Sequence, residues 1–256
     1  MKKSFLSFLT TFLVVTFFFV GCKKPNTTEP PPTTTTPKTT QPIPTFSGTV
    51  DRVVVAIHFT YTEPSVPEPY NKVEMNMGYA KFGDISGTGT DAGTVTLNGK
   101  TIAKTTANSS VDYNSFTSFT TLDLNWDGNP HSWSVTGAGN TPAFTIGVTS
   151  PTAFTLSNPT ATTVAPKTSA LNVTWSGAYS TAPDSVMIVL VVGSTTFTAT
   201  TTNKTGSYSI PASQLSAMAG DAILQVVKYR YATKTVSSKN FVGVAEIVAM
   251  VNFKIQ

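Results

Sequence analysis

Cysteine, histidine and charge are all scarce in this chain. It has one cysteine, Cys22, two histidines, His58 and His131, and only 12% charged residues. A lone cysteine can form no internal disulfide, so nothing covalent staples the fold. The two histidines do not sit at the four-residue spacing of a helical zinc pair. The formal charge of +4 is misleading as a sign of basic partners. Of 17 basic residues, Lys2, Lys3, Lys23, Lys24 and Lys38 precede Phe46, and of 13 acidic residues only Glu29 does, which leaves 12 against 12 in the remainder. A neutral body has no net field with which to attract a phosphate backbone, so nucleic acid is not expected as a partner. Long apolar runs are also missing. The most apolar stretch, residues 5–20, is interrupted by Ser7, Thr10, Thr11 and Thr16 and falls short of the roughly 20 residues a spanning helix needs.

What is there begins with an address. Lys2 and Lys3, the apolar stretch 5–20 and the small residues ending at Cys22 have the layout of a secretory signal. Phe19-Val20-Gly21-Cys22 resembles the bacterial lipobox, although leucine is commoner where Phe19 stands. The resemblance implies cleavage before Cys22, lipid on its thiol and attachment to a membrane of the cell envelope. It also explains an unpaired thiol in an exported chain. A single acyl chain anchors only marginally, and lipoproteins of this kind carry two or three. The competing reading is an ordinary signal peptide, residues 1–21, followed by an unrelated cysteine. Residues 22–45 are two-thirds Thr and Pro, with almost no apolar surface to bury, and read as an extended tether. At about 3.1 Å per residue they reach up to roughly 70 Å from the lipid.

From residue 46 onward the pattern is that of an all-β protein. Val53, Val55, Ile57, Phe59 and Tyr61 alternate along a first long strand. Further strands are expected at 73–82, 93–106, 119–126, 131–137 and 142–148, with Asn98-Gly99 as a hairpin turn. The pattern restarts at Ser150-Pro151, with strands at 153–156, 170–176, 185–192, 195–202, 207–210, 222–233 and 241–255, and a short helical candidate at 211–219. The expectation is two tandem β-sandwiches, residues 46–150 and 151–256.

Leu171-Asn172-Val173-Thr174-Trp175 resembles the second strand of fibronectin type III and related immunoglobulin-like modules, where a Leu-x-Val-x-Trp pattern buries the Trp. Leu215, Gly220-Asp221 and Leu224-Gln225-Val226 echo the same family's later strands, but Ala222 stands about where its corner tyrosine would be. The whole layout is similar to bacterial surface lipoproteins that carry such domains in tandem. The resemblance implies a sandwich for residues 151–256 and leaves function open.

No residue is singled out as catalytic. His58 shares a strand face with Val54, Ala56 and Thr60, and His131 follows the turn residues Gly128-Asn129-Pro130; both read as structural, although a Ser-His-Asp triad is defined by geometry and not by spacing. Gly87-Thr88-Gly89-Thr90-Asp91-Ala92 matches a dinucleotide loop only superficially, because a hairpin follows it and not a helix. Glu63, Glu68, Glu74, Asp84 and Asp112 are available as paired carboxylates for glycoside hydrolysis, without spacing that says which converge. No metal site is assigned. Asp123, Asn125, Asp127 and Gly128 match the opening of a calcium loop, but Ser134 replaces the acidic twelfth ligand, and the same residues suit the wet face of a strand entering an Asp-Gly turn. The binding candidates are the proline-rich loop from Glu63 to Tyr70, the pair Trp126 and Trp133 as a sugar platform or as core, and the apolar stretch 241–255 as an open edge or as a central strand. The functional expectation is a lipid-anchored envelope protein that binds or supports. The alternatives are an adhesin for glycan or envelope protein, and a hydrolase of envelope or extracellular polymers.

Overall fold

The computed structural model describes residues 50, 52–63, 66–67, 70–83, 87–115, 122–177, 184–202 and 206–256. The signal segment, Cys22 and the tether lie outside the described residues. Along the chain, β1 (Arg52–Thr62) and β2 (Lys72–Phe82) form an antiparallel hairpin, and β3 (Val95–Leu97) meets β4 (Lys100–Thr101) across Asn98-Gly99. Both turn residues have positive φ, 47° and 76°, as a two-residue hairpin of this type requires. Next come β5 (Lys104–Ala107), β6 (Ser110–Asn114), β7 (Pro130–Val135) and β8 (Phe144–Thr149). The second half holds β9 (Thr155–Asn158), β10 (Val164–Ala165), β11 (Leu171–Ser176), β12 (Ser185–Val192), β13 (Thr195–Thr202) and β14 (Ser207–Ile210). A single helical turn, α1 (Ala212–Leu215), precedes two 17-residue strands, β15 (Gly220–Val236) and β16 (Lys239–Ile255).

These elements make one large sheet and two small ones. The large sheet has nine strands in the order β13-β12-β15-β16-β1-β2-β6-β5, with β10 beside β16. A three-stranded sheet, β14-β11-β9, comes from the second half, and a four-stranded sheet, β4-β3-β7-β8, from the first. The residues after 150 build a small sheet of their own, and the large sheet takes strands from both sides of that boundary. Its continuity rests on a parallel pairing of β1 with β16, Arg52 opposite Phe241 through Tyr61 opposite Met250. The stretch expected as a strand at 119–126 joins no ladder over 122–126, and its first residues lie outside the described ones. The helical candidate shrinks to α1, whose Leu215 is buried.

Both small sheets pack on one face of the large sheet, so two cores lie side by side. One joins Leu97, Trp133, Val135 and Phe144 to Val54, Ala56 and Ala80 of the large sheet and to Phe241 at the far end of the chain. The other joins Leu171, Val173 and Trp175 to Ile188, Leu190, Leu224 and Val226. The alternation of β11 buries Trp175 as the fibronectin-like pattern implies. Strand β16 approaches the small sheet so closely that a Cβ on Gly243 would lie 2.5 Å from Val148 Cγ2. This accounts for a glycine inside a strand. Gly243→Ala is expected to cost about 1–3 kcal/mol through overpacking, read as a shift of the denaturation midpoint.

The opposite face of the large sheet is apolar as well. It carries Val55, Ile57 and Phe59 from β1, with Met77 and Tyr79 opposite them on β2. On the other side of β1 it continues through Val248 of β16, Val227 of β15 and Val189 of β12. Its side chains are buried too, with Val55, Ile57, Phe59 and Val248 at 3%, 1%, 2% and 2% exposure.

Candidate functional site

The loop end of the β1–β2 hairpin forms one wall of a cleft of about 360 Å³. Thr60 and Thr62 of β1 stand beside Lys72 and Glu74 of β2, because cross-strand register puts these four on the inner face. The opposite wall is Phe154, Leu156, Pro159 and Thr160 around the edge strand β9, and Ala249 and Val251 of β16 form the floor. Hydroxyls, one cation, one carboxylate and an aromatic ring thus surround a space open to solvent. Such a set suits a neutral polyhydroxylated or peptide ligand held by hydrogen bonds and stacking.

The proline-rich loop singled out in the sequence is the tip of this same hairpin. Glu63 N–H donates to Asn71 O at 2.7 Å and Tyr70 N–H to Pro67 O at 3.0 Å, which closes the loop on itself. Tyr70 is 82% exposed. Below it Tyr61 donates to Glu63 Oε2 at 2.9 Å and accepts from Asn252 Nδ2 at 2.9 Å. Burial, and then the Glu63 carboxylate, push the Tyr61 hydroxyl far above its ordinary range, so it stays a neutral hydrogen-bonding post.

Behind the cleft, between the two cores, sits a buried ionic cluster that the sequence reading missed. On the inner face of β15 the apolar row Ala222, Leu224, Val226 is followed by Lys228 and Arg230 before Ala232 and Val236 rejoin an apolar core. Asp184 lies between the two cations, 3.5 Å from Lys228 Nζ and hydrogen-bonded by Arg230 Nε. Lys228 Nζ also donates to Thr152 Oγ1 at 3.1 Å and lies over the Phe154 ring at 5.5 Å. Burial pushes the Lys228 ammonium down in pKa and Asp184 opposes that shift. The signal was present in Lys228-Tyr229-Arg230, where two cations fall at alternate positions of an otherwise buried strand.

The remaining candidates take structural places. Leu122 and Leu124 are buried while Asp123, Asn125 and Asp127 are exposed, and Asp127 accepts from Asn129 N–H at 3.0 Å and Nδ2 at 2.9 Å. Its carboxyl is held low chiefly by that backbone hydrogen bond. No cluster of three or more acidic, His or Cys side chains suited to a metal occurs among the described residues. His58 Nδ1 and Trp126 Nε1 both donate to Asn76 Oδ1 at 2.8 Å, and His131 lies edge-on to Trp126 at 4.7 Å. His131 is buried, its Nδ1 accepts from Asn98 Nδ2 at 3.3 Å, and burial favours its neutral ring. Neither histidine is hydrogen-bonded to a serine hydroxyl or a carboxylate among the described residues. Trp133 is wholly buried in the first core and Trp126 partly, so the pair forms no open platform. Residues 241–255 are interior to the large sheet, between β15 and β1. Glu63, Glu74 and Asp112 lie among the described residues, and Glu68 and Asp84 outside them.

The glycine-rich stretch 87–92 leads into β3 and not into a helix. Asp91 gives it form, accepting from Tyr113 Oη at 2.7 Å, Gly93 N–H at 2.9 Å and Lys104 Nζ at 3.1 Å. These bonds, the tyrosine's first, hold the Asp91 carboxyl at about 2. A folded-state pKa below the ordinary 3.8 means stability that is present above pH 4 and lost as pH falls through about 2. Asp91→Asn should therefore melt below wild type at about pH 5, and the gap should narrow towards pH 2.

No family model and no curated protein matches the chain. Among solved structures it is weakly similar to the fibronectin type III-like modules of Clostridium thermocellum CbhA, at 12% identity and a TM-score of 0.29, covering 71% of this chain and 85% of that one. It is also weakly similar to a Ca2+-stabilised adhesin with which an Antarctic bacterium binds ice, at 16% identity and a TM-score of 0.23, over 80% of this chain and 49% of that one. A third is the 1.5-MDa bacterial ice-binding adhesin studied for host cell surface retention, at 16% identity and a TM-score of 0.22, over 82% and 67%. Similarity at this level has no bearing on what the chain binds.

Proposed function

We propose that the chain is an exported envelope protein, cut before Cys22, held to a membrane by lipid on that cysteine, and acting through binding or support without catalysis. The observation that carries this reading is the position of the sole cysteine, directly after Phe19-Val20-Gly21 and the apolar stretch 5–20. The Thr/Pro tether that follows sets a neutral β-rich body away from the lipid. Both histidines serve packing, which favours binding over hydrolysis. The cleft beside β1 and β2, with Tyr70 on the hairpin above it, is where a glycan or an envelope protein segment would engage.

The test is fractionation of cells making wild type or Cys22→Ala. Wild type should sediment with membranes, resist carbonate extraction and enter the detergent phase, while the variant should appear in the soluble fraction. Wild type that is soluble after breakage would overturn the anchor.

A further inference from the structure

An open strand edge is a template for another chain, and natural sheets blunt their edges with short strands, charged residues, proline or bulges. The three sheets end in β13 and β5, in β14 and β9, and in β4 and β8. All but one of these edges carry such a device. β4 has two residues and begins with Lys100, and β5 has four and begins with Lys104. β9 and β14 have four each, and the pairing of β9 with β11 shifts register between Thr174 and Trp175. β8 has six, and Lys234 Nζ donates to its Thr145 O at 2.7 Å. β13 has eight residues and none of these devices. Its sequence, Thr-Thr-Phe-Thr-Ala-Thr-Thr-Thr, has no charge and no proline, and its register against β12 runs unbroken from Thr195 opposite Val192 to Thr202 opposite Ser185.

This edge is accessible. Thr195, Thr196 and Thr198 are exposed and the rest of the strand is half-buried, and among the described residues β13 is laddered to β12 alone. Threonine favours extended pairing, and at 3.3 Å per residue the strand offers a ladder of about 26 Å. The tether is unsuited to fill it. Between Pro25 and Pro44 no run free of proline exceeds four residues, and proline removes the N–H that a ladder needs. A foreign strand is captured selectively through pockets for its alternate side chains. The cleft lined by Phe154 and Leu156 lies instead at β9, the far end of the small sheet from β14. It is β14 that stacks on β13, with Tyr208 and Phe197 ring centroids 6.4 Å apart.

We infer that β13 pairs antiparallel with β13 of a second copy about a two-fold axis, joining the two large sheets into one. Directly opposite residues of an antiparallel pair share a face, so full overlap of the two strands places the axis at Thr198 or at Ala199 and not between them. Thr196, Thr198 and Thr200 stand on the outer face, opposite Val191, Val189 and Met187 of β12. In an isologous pair this row meets its own copy, and Thr–Thr pairs across strands are stabilising. An uncharged strand also brings no like charges opposite each other. On the inner face Phe197 falls opposite a small residue of the second copy, Ala199 for one axis and Thr201 for the other, which leaves space for its ring. β14 ends its sheet on the same side as β13, so both layers of each copy come to the junction. The pairing does not depend on lipid at Cys22.

The test uses the full chain, extracted from cells in mild detergent, with its mass measured by light scattering. The expected result is twice the monomer mass. Thr198→Lys sets two ammonium groups at or beside the axis and should raise the dissociation constant roughly tenfold or more, with the far-UV spectrum unchanged. As a check that does not depend on affinity in detergent, single cysteines along β13 are treated in intact cells with a short bismaleimide. Crosslinking to twice the monomer mass should peak at Thr198→Cys or Ala199→Cys and fall off on both sides, towards Thr195→Cys and Thr202→Cys. Wild type, with Cys22 alone, and Asn172→Cys, exposed on the small sheet, are the blanks. A monomer without that peak overturns the inference. A dimer that Thr198→Lys leaves intact and that shows no peak places the interface elsewhere and overturns it too. A crosslinked species of another mass gives the edge to a foreign strand, with the same consequence. None of these outcomes bears on the anchor, so the two readings fail separately.

Discussion

Asp184→Ala is expected to lower stability by about 3–5 kcal/mol, the cost of leaving a buried charge without its partner. Asp184 and Lys228 are both inaccessible, with side-chain exposures of 0% and 1%, and Arg230 is the third member at 21%. Removing the carboxylate leaves the Lys228 ammonium facing Thr152 and the Phe154 ring, which together cannot replace its solvation. A second change should restore part of the loss, since Asp184→Ala with Lys228→Met exchanges the pair for apolar bulk, and such exchanges are often neutral. The pH dependence has a definite sign. Burial already places the folded-state pKa of Lys228 below its ordinary 10.5, so the folded chain binds fewer protons than the unfolded one just below that value. Stability therefore rises with pH up to about 10.5, and more steeply in Asp184→Ala, where the opposing carboxylate is gone. Urea midpoints between about pH 7 and pH 10 check both statements. A single variant as stable as wild type would show that water reaches the cluster.

Phe241→Ala should cost a comparable amount, about 3–5 kcal/mol for a buried aromatic. Phe241 is 1% exposed, packs against Phe144 with the rings tilted by 41° and 4.0 Å between centroids, and lies under the Arg52 guanidinium at 5.3 Å. It stands near the start of β16, yet its neighbours belong to the first half of the chain. Because β15 and β16 traverse both cores, the loss is expected to move one cooperative transition and not to split it. Calorimetry of the variant distinguishes the outcomes. Two separated transitions, with the second half unaffected, would mean that the halves melt independently in spite of the shared sheet.

Most strands were legible because alternation and turn chemistry are local. Val53, Val55 and Ile57 declare their face, and Asn98-Gly99 declares its hairpin. The partner of β1 was not legible, because nothing in Val53-Val54-Val55-Ala56-Ile57 names a strand almost the whole body away as its parallel neighbour. That same run, and Val186-Met187-Ile188-Val189-Leu190 in β12, did contain a further signal. Apolar side chains at consecutive positions mark strands covered on both faces, and Val54 to Ile57 and Val186 to Leu190 are indeed buried on both. The ionic cluster was hidden for a different reason. Asp184 and Lys228 meet only because β12 and β15 pair, and no spacing in the chain announces it. The proline-rich loop, by contrast, was visible as a binding candidate, whereas the cleft below it needed Phe154 and Pro159 from the other half.

The most direct test of the anchored-protein reading is the intact mass and N-terminal sequence of the chain purified from membranes. The prediction is a chain that begins at Cys22 and carries the added mass of a diacylglyceryl thioether, with or without a further acyl chain on the new amino terminus. A chain that retains residues 1–21, or begins elsewhere with a free Cys22 thiol, would contradict it.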